Sequence, residues 1–498
     1  MGFAAGSANA TGNGNVFIGV NSGGNNSTAH NNTFIGSYSG VLNTTGTDNV
    51  FVGEHAGFSN DSGNKNTFLG RNSGTNNEAG DFNTFIGYRA GEDNVTGSAN
   101  TFLGEGAGAS NGSSLNTFIG FRAGLLNNGG AFNTFLGGES GENNVDGFGN
   151  IFMGYLAGNE NISGDGNVML GTQAGQSNLV SFNTFIGYGA GSRNETGNVN
   201  TFIGSNAGDV NVVAGGNTFI GSDAGGSNVH GTGNVFVGRN AGVLNTHDDN
   251  TFIGSEAGNG NTSGQGNTYI GKNAAVVSST GSFNTAIGWL THINNGLVNS
   301  MVLGSSANVT ASNKVRVGNT SVTVIEGQVD WTFPSDARFK YNVEDEGIPG
   351  LAFISRLRPV TYQFDRKKFE THLIQNMPDS LQQERLSMMD AIRAPEPVQT
   401  GFLAQEVEQI CQDLDYTFSG LHVPENDTDN YGIAYGSFVP LLVKAMQEQQ
   451  KQIEELNAQL VTLSQENETL KLSVLEIDHL KTEFESIMKM VNRLTEKF

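Results

Sequence analysis

A glycine returns every seventeen residues. Aligned on the last residue of the motif N-T-F-I-G, the positions Gly19, Gly36, Gly53, Gly70, Gly87, Gly104 and Gly120 begin a series of eighteen registers that runs to Gly304, spaced by 17 or occasionally 16. Gly318, in NKVRVG, closes a shorter final register. Three to four residues downstream comes a second signature, Ala-Gly or Ser-Gly, as in Ala56-Gly57, Ala90-Gly91, Ala207-Gly208 and Ala257-Gly258. Self-similarity at a fixed period marks a repeat architecture.

The unit's size decides its shape. N-T-F-I-G is short, β-branched and aromatic and ends in glycine, so it reads as a strand. Seventeen residues are too few for a helix, a strand and two turns. They suit two or three short strands joined by Gly/Asn corners, where Asn and Gly tolerate positive φ: one coil of a parallel β-solenoid. Phe17, Phe34, Phe51, Phe68 and Phe85 then stack in one column, and Ile18, Ile35, Val52, Leu69 and Ile86 in the next. Successive strand residues face opposite sides, so one column fills the lumen. The other is exposed or covered by another chain, and eighteen exposed apolar residues exceed the patch a monomer normally shows. Self-association is therefore expected. Eighteen coils at the ~4.8 Å strand spacing make a shaft of about 85–90 Å. The Thr column (Thr33, Thr67, Thr84, Thr101, Thr117) is one residue wide and interrupted by Val50, Ile151 and Val168, so it reads as strand propensity rather than an ice-binding face.

Composition separates the repeat region from the C-terminal third of the chain. Of 71 glycines, 64 lie at or before Gly318, whereas all eight prolines lie at or after Pro334. Pro cannot donate to a ladder paired on both sides, so its absence suits the solenoid. Acidic residues outnumber basic ones in both parts, for a net charge of −23, which repels nucleic-acid phosphates and anionic lipid. No 18-residue apolar run is present, so no membrane insertion is expected, and the N-terminus shows no signal-peptide pattern. The lone Cys411 rules out an internal disulfide or a Cys-based zinc site. The eight histidines are scattered without His-x-His or HExxH, and no phosphate-loop motif or calcium-binding nonapeptide occurs, so no metal or cofactor is expected.

The repeat motif N-T-F-I-G-x-x-A-G resembles the N-S-V-A-I-G type repeat of trimeric autotransporter adhesin heads, which implies a β-roll packed as a trimer. Beyond the repeat, Ser321 to Phe333 alternates as a strand pair. Next come Pro334-Ser335-Asp336-Ala337-Arg338-Phe339-Lys340, then Leu357-Arg358-Pro359-Val360-Thr361-Tyr362, then Gly401-Phe402-Leu403-Ala404-Gln405-Glu406-Val407 at the start of a helix. These three blocks, in this order over roughly Asp330 to Gln450, resemble the endosialidase-type intramolecular chaperone domain at the C-termini of phage tail fibres and tailspikes. The resemblance implies a domain that trimerises, assists folding of the upstream β-structure and commonly cuts itself off with a Ser-Lys dyad, here Ser335 and Lys340. A serine hydroxyl needs an adjacent base. A lysine serves when burial or a neighbouring cation favours its neutral form, and Arg338 is a candidate cation. A five-residue spacing does not place both side chains on one helix face, so a turn or the trimer must bring them together. The alternative is that Asp336 caps a helix and pairs with Arg338, and the domain chaperones without cutting.

After Tyr435 the pattern turns helical. Val439, Leu442, Met446, Gln449, Ile453, Leu456, Leu460, Leu463, Asn467, Leu470, Val474 and Ile477 alternate three- and four-residue spacings, an a/d coiled-coil seam with Asn467 fixing register. A three-residue stammer leads to Leu480, Phe484, Ile487, Val491, Leu494 and Phe498. Arg366 to Thr400 is a polar, weakly helical insertion.

The expected chain is thus mainly β: a trimeric parallel β-solenoid shaft (1–320), a β connector (321–334), an α+β intramolecular chaperone domain (335–440) and a trimeric coiled coil (441–498). The expected role is a tail fibre or tailspike of a phage or phage-like contractile injection particle, assembled in the cytoplasm and located on that particle. A homotrimer would meet a baseplate or tail protein at its N-terminal end and a cell-surface glycan or protein receptor elsewhere. The alternatives are a secreted bacterial trimeric surface adhesin and a polysaccharide-degrading solenoid enzyme. Catalysis, if any, is single-turnover self-cleavage.

Overall fold

The computed structural model describes residues 2–329, 331–344, 346–391 and 396–496. Asp330, residues 392–395 of the expected insertion and Phe498 of the expected seam lie outside them. Two compact units result, Met1–Thr323 with Arg366–Ile392, and Val324–Asp365 with Arg393–Phe498.

The first unit is a parallel β-solenoid. Nineteen strands, from Val16–Ile18 to Val315–Val317, form one sheet. Each strand pairs in parallel with the next coil at unchanged register, as in Thr33↔Val50, Phe34↔Phe51 and Ile35↔Val52. The sequence predicts two or three strands per coil. Through most of the shaft there is one, three residues long, and the rest of the coil is turns. A second pairing, His292–Ile293 with Asn308–Val309, appears only near the C-terminal end.

The phenylalanines take the lumen. Phe34 to Phe152 stack as eight consecutive rings with centroids 4.7–4.9 Å apart. Met169 interrupts the column, which resumes from Phe185 to Tyr269. The neighbouring column faces outward in the single chain, with Ile18, Leu69 and Leu103 exposed and others, such as Ile86 and Ile119, half-buried. The Ala-Gly signature belongs to the same packing. Gly40 has φ 56°, and a methyl there would lie 2.5 Å from the Phe34 ring. Gly36, φ 141°, sits against the Gly53 carbonyl of the next coil, where no side chain fits.

Glycines and asparagines take left-handed corners as expected, Asn21, Asn31 and Asn72 among them, but so do residues as bulky as Tyr38, His55 and Arg89. Beyond that expectation, most repeat asparagines are buried in two ladders. In one, Asn43 Nδ2 donates to Asn26 Oδ1 at 3.0 Å and Asn60 to Asn43 at 2.7 Å, continuing through Asn77, Asn94 and Asn111. In the other, the Asn of N-T-F-I-G accepts the backbone N–H of its counterpart one coil on and donates to a corner carbonyl. The corners bury more backbone than three-residue strands can pair, and these amides satisfy it. Replacing Asn133 by Leu strands the Asn150 N–H, while the Gly147 carbonyl keeps its bond from Asn144 Nδ2. At about 1–3 kcal/mol per unsatisfied group, Asn133→Leu is expected to cost about 1–3 kcal/mol in denaturant unfolding. Exposed Asn128→Ala should change stability by less than about 0.5 kcal/mol. Equal effects would refute the ladder's role.

After the last coil the expected strand pair over 321–334 is absent among the described residues. Val329, Trp331 and Phe333 are 86–88% exposed. Alternation alone does not make a strand; a ladder partner is required, and among the described residues no strand pairs with this segment.

The second unit is a small α+β body. Helices α1 (Gly350–Ile354) and α4 (Ala404–Asp413) pack with the start of a 58-residue helix, Phe438–Thr495. Val360–Gln363 pairs antiparallel with Val398–Gly401. Phe353, Val407, Ile410, Phe418, Phe438 and Leu441 form the core. The long helix exposes its expected seam, from Leu456 at 57% to Leu470 at 64%. Among the described residues no helix is long and apolar enough to cross a membrane.

Candidate functional site

Pro334 fixes the chain where the site begins, since its ring restricts φ and it offers no N–H. Asp336 then caps a 3-10 turn, Ala337–Phe339, accepting the Arg338 backbone N–H at 2.9 Å. The same carboxylate takes the Arg338 guanidinium at 2.6 Å. That hydrogen bond holds the Asp336 carboxyl below its usual range and raises Arg338 above its own.

The turn reverses the chain enough that Lys340 Nζ donates to Ser335 Oγ at 2.8 Å. A turn within one chain therefore brings the two residues together. Arg338, the expected neighbouring cation, is instead held by Asp336.

In this arrangement the ammonium donates to the hydroxyl. General-base chemistry needs the opposite polarity, with a neutral amine accepting the hydroxyl proton. Burial would favour that neutral form, yet Ser335 and Lys340 are exposed in the single chain. So are Phe333, Phe339, Tyr341 and Val343, at 75–87%. Of these, Phe339 has the Arg338 guanidinium 5.6 Å from its ring centre.

Residues 335–416 match the family described as chaperone of endosialidase. The match begins at Ser335 itself and extends past α4. No curated protein matches the chain. Within the chaperone domain the sequence blocks acquire structural roles. Arg358, of the second block, pairs with Glu406, of the third, and the pairing raises the arginine's pKa. Tyr362 lies in the strand opposite Gln399, and Phe402 N–H donates to the Tyr435 hydroxyl at 3.1 Å. These contacts hold the blocks to one another rather than to Ser335. Among the described residues no group of three or more His, Cys, Asp or Glu is placed to hold a metal ion.

Two features escape sequence reasoning. The asparagine ladders are visible as an Asn column of period 17, but the same column suits corner chemistry equally well. A cluster of His292, Arg316, Glu370 and Arg385 at the C-terminal end of the solenoid leaves no pattern, because its members are far apart in sequence.

Proposed function

We propose that three copies of this chain assemble into a fibre that serves as the tail fibre or tailspike of a phage or phage-like contractile injection particle. Its chaperone domain drives trimerisation and afterwards cuts itself away beside Ser335. The carrying observation is that three successive parts leave apolar surface uncovered in the single chain: the outward column of the solenoid, the segment around Ser335 and the seam of the long helix. A 58-residue helix with an exposed heptad stripe is the expected state of one strand of a coiled coil. The chaperone-of-endosialidase match supports three as the number, since that family implies trimerisation.

In this reading the solenoid is the rigid attachment rod, joined to a baseplate or tail protein at its N-terminal end and presented to a cell-surface glycan or protein receptor. The fibre is assembled in the cytoplasm and resides on the extracellular particle. Two measurements test it. Light scattering on the purified protein should give three times the chain mass, and a monomer would reject the assembly. Antibody labelling of isolated particles should decorate fibres, and label confined to a cell envelope would favour the surface-adhesin alternative.

A further inference from the structure

The C-terminal end of the solenoid is not left open. Helices α2 (Arg366–Ile374) and α3 (Asp379–Ala391) belong to the same compact unit as the coils, although more than forty residues separate them from the last coil. They form a hairpin with its own small core, Leu373, Ile374 and Met377 with Phe369, Leu381 and Leu386.

The last coils are built to receive it. Along the lumen the inward residue changes from Tyr269 to Ala286, then Val302, then Arg316. An arginine in the inward column has no place in a closed shaft, but here its guanidinium lies 5.7 Å from the centre of the Phe369 ring. Glu370 is buried, bonded to Arg385 at 2.5 Å and to the Thr320 hydroxyl at 3.1 Å. Arg385, 2% exposed, also reaches the Ser306 carbonyl. Asn308 Nδ2 donates to the Leu373 carbonyl at 2.6 Å.

His292 is the register partner of Asn308 and is 2% exposed, and the polar Asn294 side chain lies beside its ring. The charged and titratable groups of the elements meeting at this seam include Arg385 of α3, Glu370 and His372 of α2, and Lys314 and Arg316 of the last coil. Glu370 is the anion to which Arg385 bonds.

We propose that the α2–α3 hairpin is a cap on the solenoid's C-terminal end that is released by acid, with His292 as the proton acceptor. Burial, assisted by the Arg385 charge, depresses the imidazole pKa from 6.5 to about 3. An undocked seam leaves His292 free to take a proton below 6.5, whereas the docked seam refuses one until about 3. Docking is therefore fully favoured above pH 6.5 and lost progressively between 6.5 and 3. At pH 5 the docking equilibrium is weakened about 30-fold, from the roughly 1.5-unit difference between pH 5 and the open-state value. The cap does not depend on self-cleavage. If a cut occurs beside Ser335, the cap lies on the C-terminal piece and this seam is what ties the pieces.

Amide hydrogen exchange of the full chain tests it. At pH 8 the amides of α2, α3 and coils 285–318 should be protected. At pH 5, after correction for intrinsic rates, hairpin protection should fall on the order of 30-fold while coils before residue 250 stay unchanged. His292→Asn should abolish this response, and His372→Asn, which changes the hairpin's own imidazole, should retain it. Should His292→Asn fail to fold, wild type alone decides: equal hairpin protection at pH 8 and pH 5 overturns the proposal. A response that survives His292→Asn, whether or not it disappears in His372→Asn, overturns it too.

Discussion

The wild-type chain, incubated as assembled protein, is expected to split beside Ser335 into pieces of about 334 and 164 residues, whereas Ser335→Ala and Lys340→Ala stay full length. The carbonyl nearest in sequence to the hydroxyl is that of Pro334. Attack by Oγ forms an ester and breaks the Pro334–Ser335 amide, and Lys340 carries the hydroxyl proton to the departing nitrogen. Water then hydrolyses the ester and restores the hydroxyl. The 2.8 Å contact supplies the geometry. What a single chain does not supply is dryness, because both side chains are exposed. Cutting should therefore wait for assembly, which would bury Trp331, Phe333, Phe339 and Tyr341 around the pair. Denaturing electrophoresis with mass spectrometry reads all of this. A folded wild-type trimer that remains full length on prolonged incubation would leave the chaperone role standing and remove the peptidase one.

The second large effect concerns the long helix. Leu456, Leu460 and Leu463 are 55–61% exposed in the single chain and lie on one stripe. Replacing all three by Asp places nine charges in the seam of a trimer. Each lost leucine removes about 1.5–3 kcal/mol of burial, and each carboxylate adds a desolvation penalty. Soluble trimer should fall by well over tenfold, a change that needs only about 1.4 kcal/mol. The reason is kinetic as well as thermodynamic, since non-local β pairing is slow and benefits from chains held in register. Normal trimer yield from the triple variant would show that the helix is dispensable for assembly.

Much of this architecture is legible because a period of 17 over eighteen registers leaves little freedom. The Phe column, the outward aliphatic column and the Ala-Gly packing are all written in N-T-F-I-G-x-x-A-G. Legibility fails where a residue type has two physical uses. Asn is both a corner former and a ladder former, and only the structure distinguishes them: Asn43 and Asn60 are fully buried in the ladder, while Asn31 and Asn72 take left-handed corners. It fails again where the partner lies outside the chain, as for the alternating run before Pro334. The hairpin is legible as weak helix but not as a cap, because the residues it buries against the shaft include Glu370 and Arg385, which pattern reading assigns to solvent. At the candidate site the dyad is readable from ordered sequence blocks, whereas the turn that closes it is evident only through Asp336.

The ladders carry one more consequence. The Asn ladders and the Phe stack join each coil to its neighbour at matching register, so a coil has no means of knowing its ordinal number. The little slack present sits at the corner between the two ladders, where the Asn pair is six residues apart in most coils but five in Asn111/Asn116, Asn178/Asn183 and Asn245/Asn250. Those short corners recur every 67 residues, which is every fourth coil. A gene that duplicates or deletes such a four-coil block joins matching surfaces on both sides of the splice. The reach of this rod is thus a heritable dimension, adjustable in steps of about 19 Å at ~4.8 Å per coil, without altering the machinery at its end.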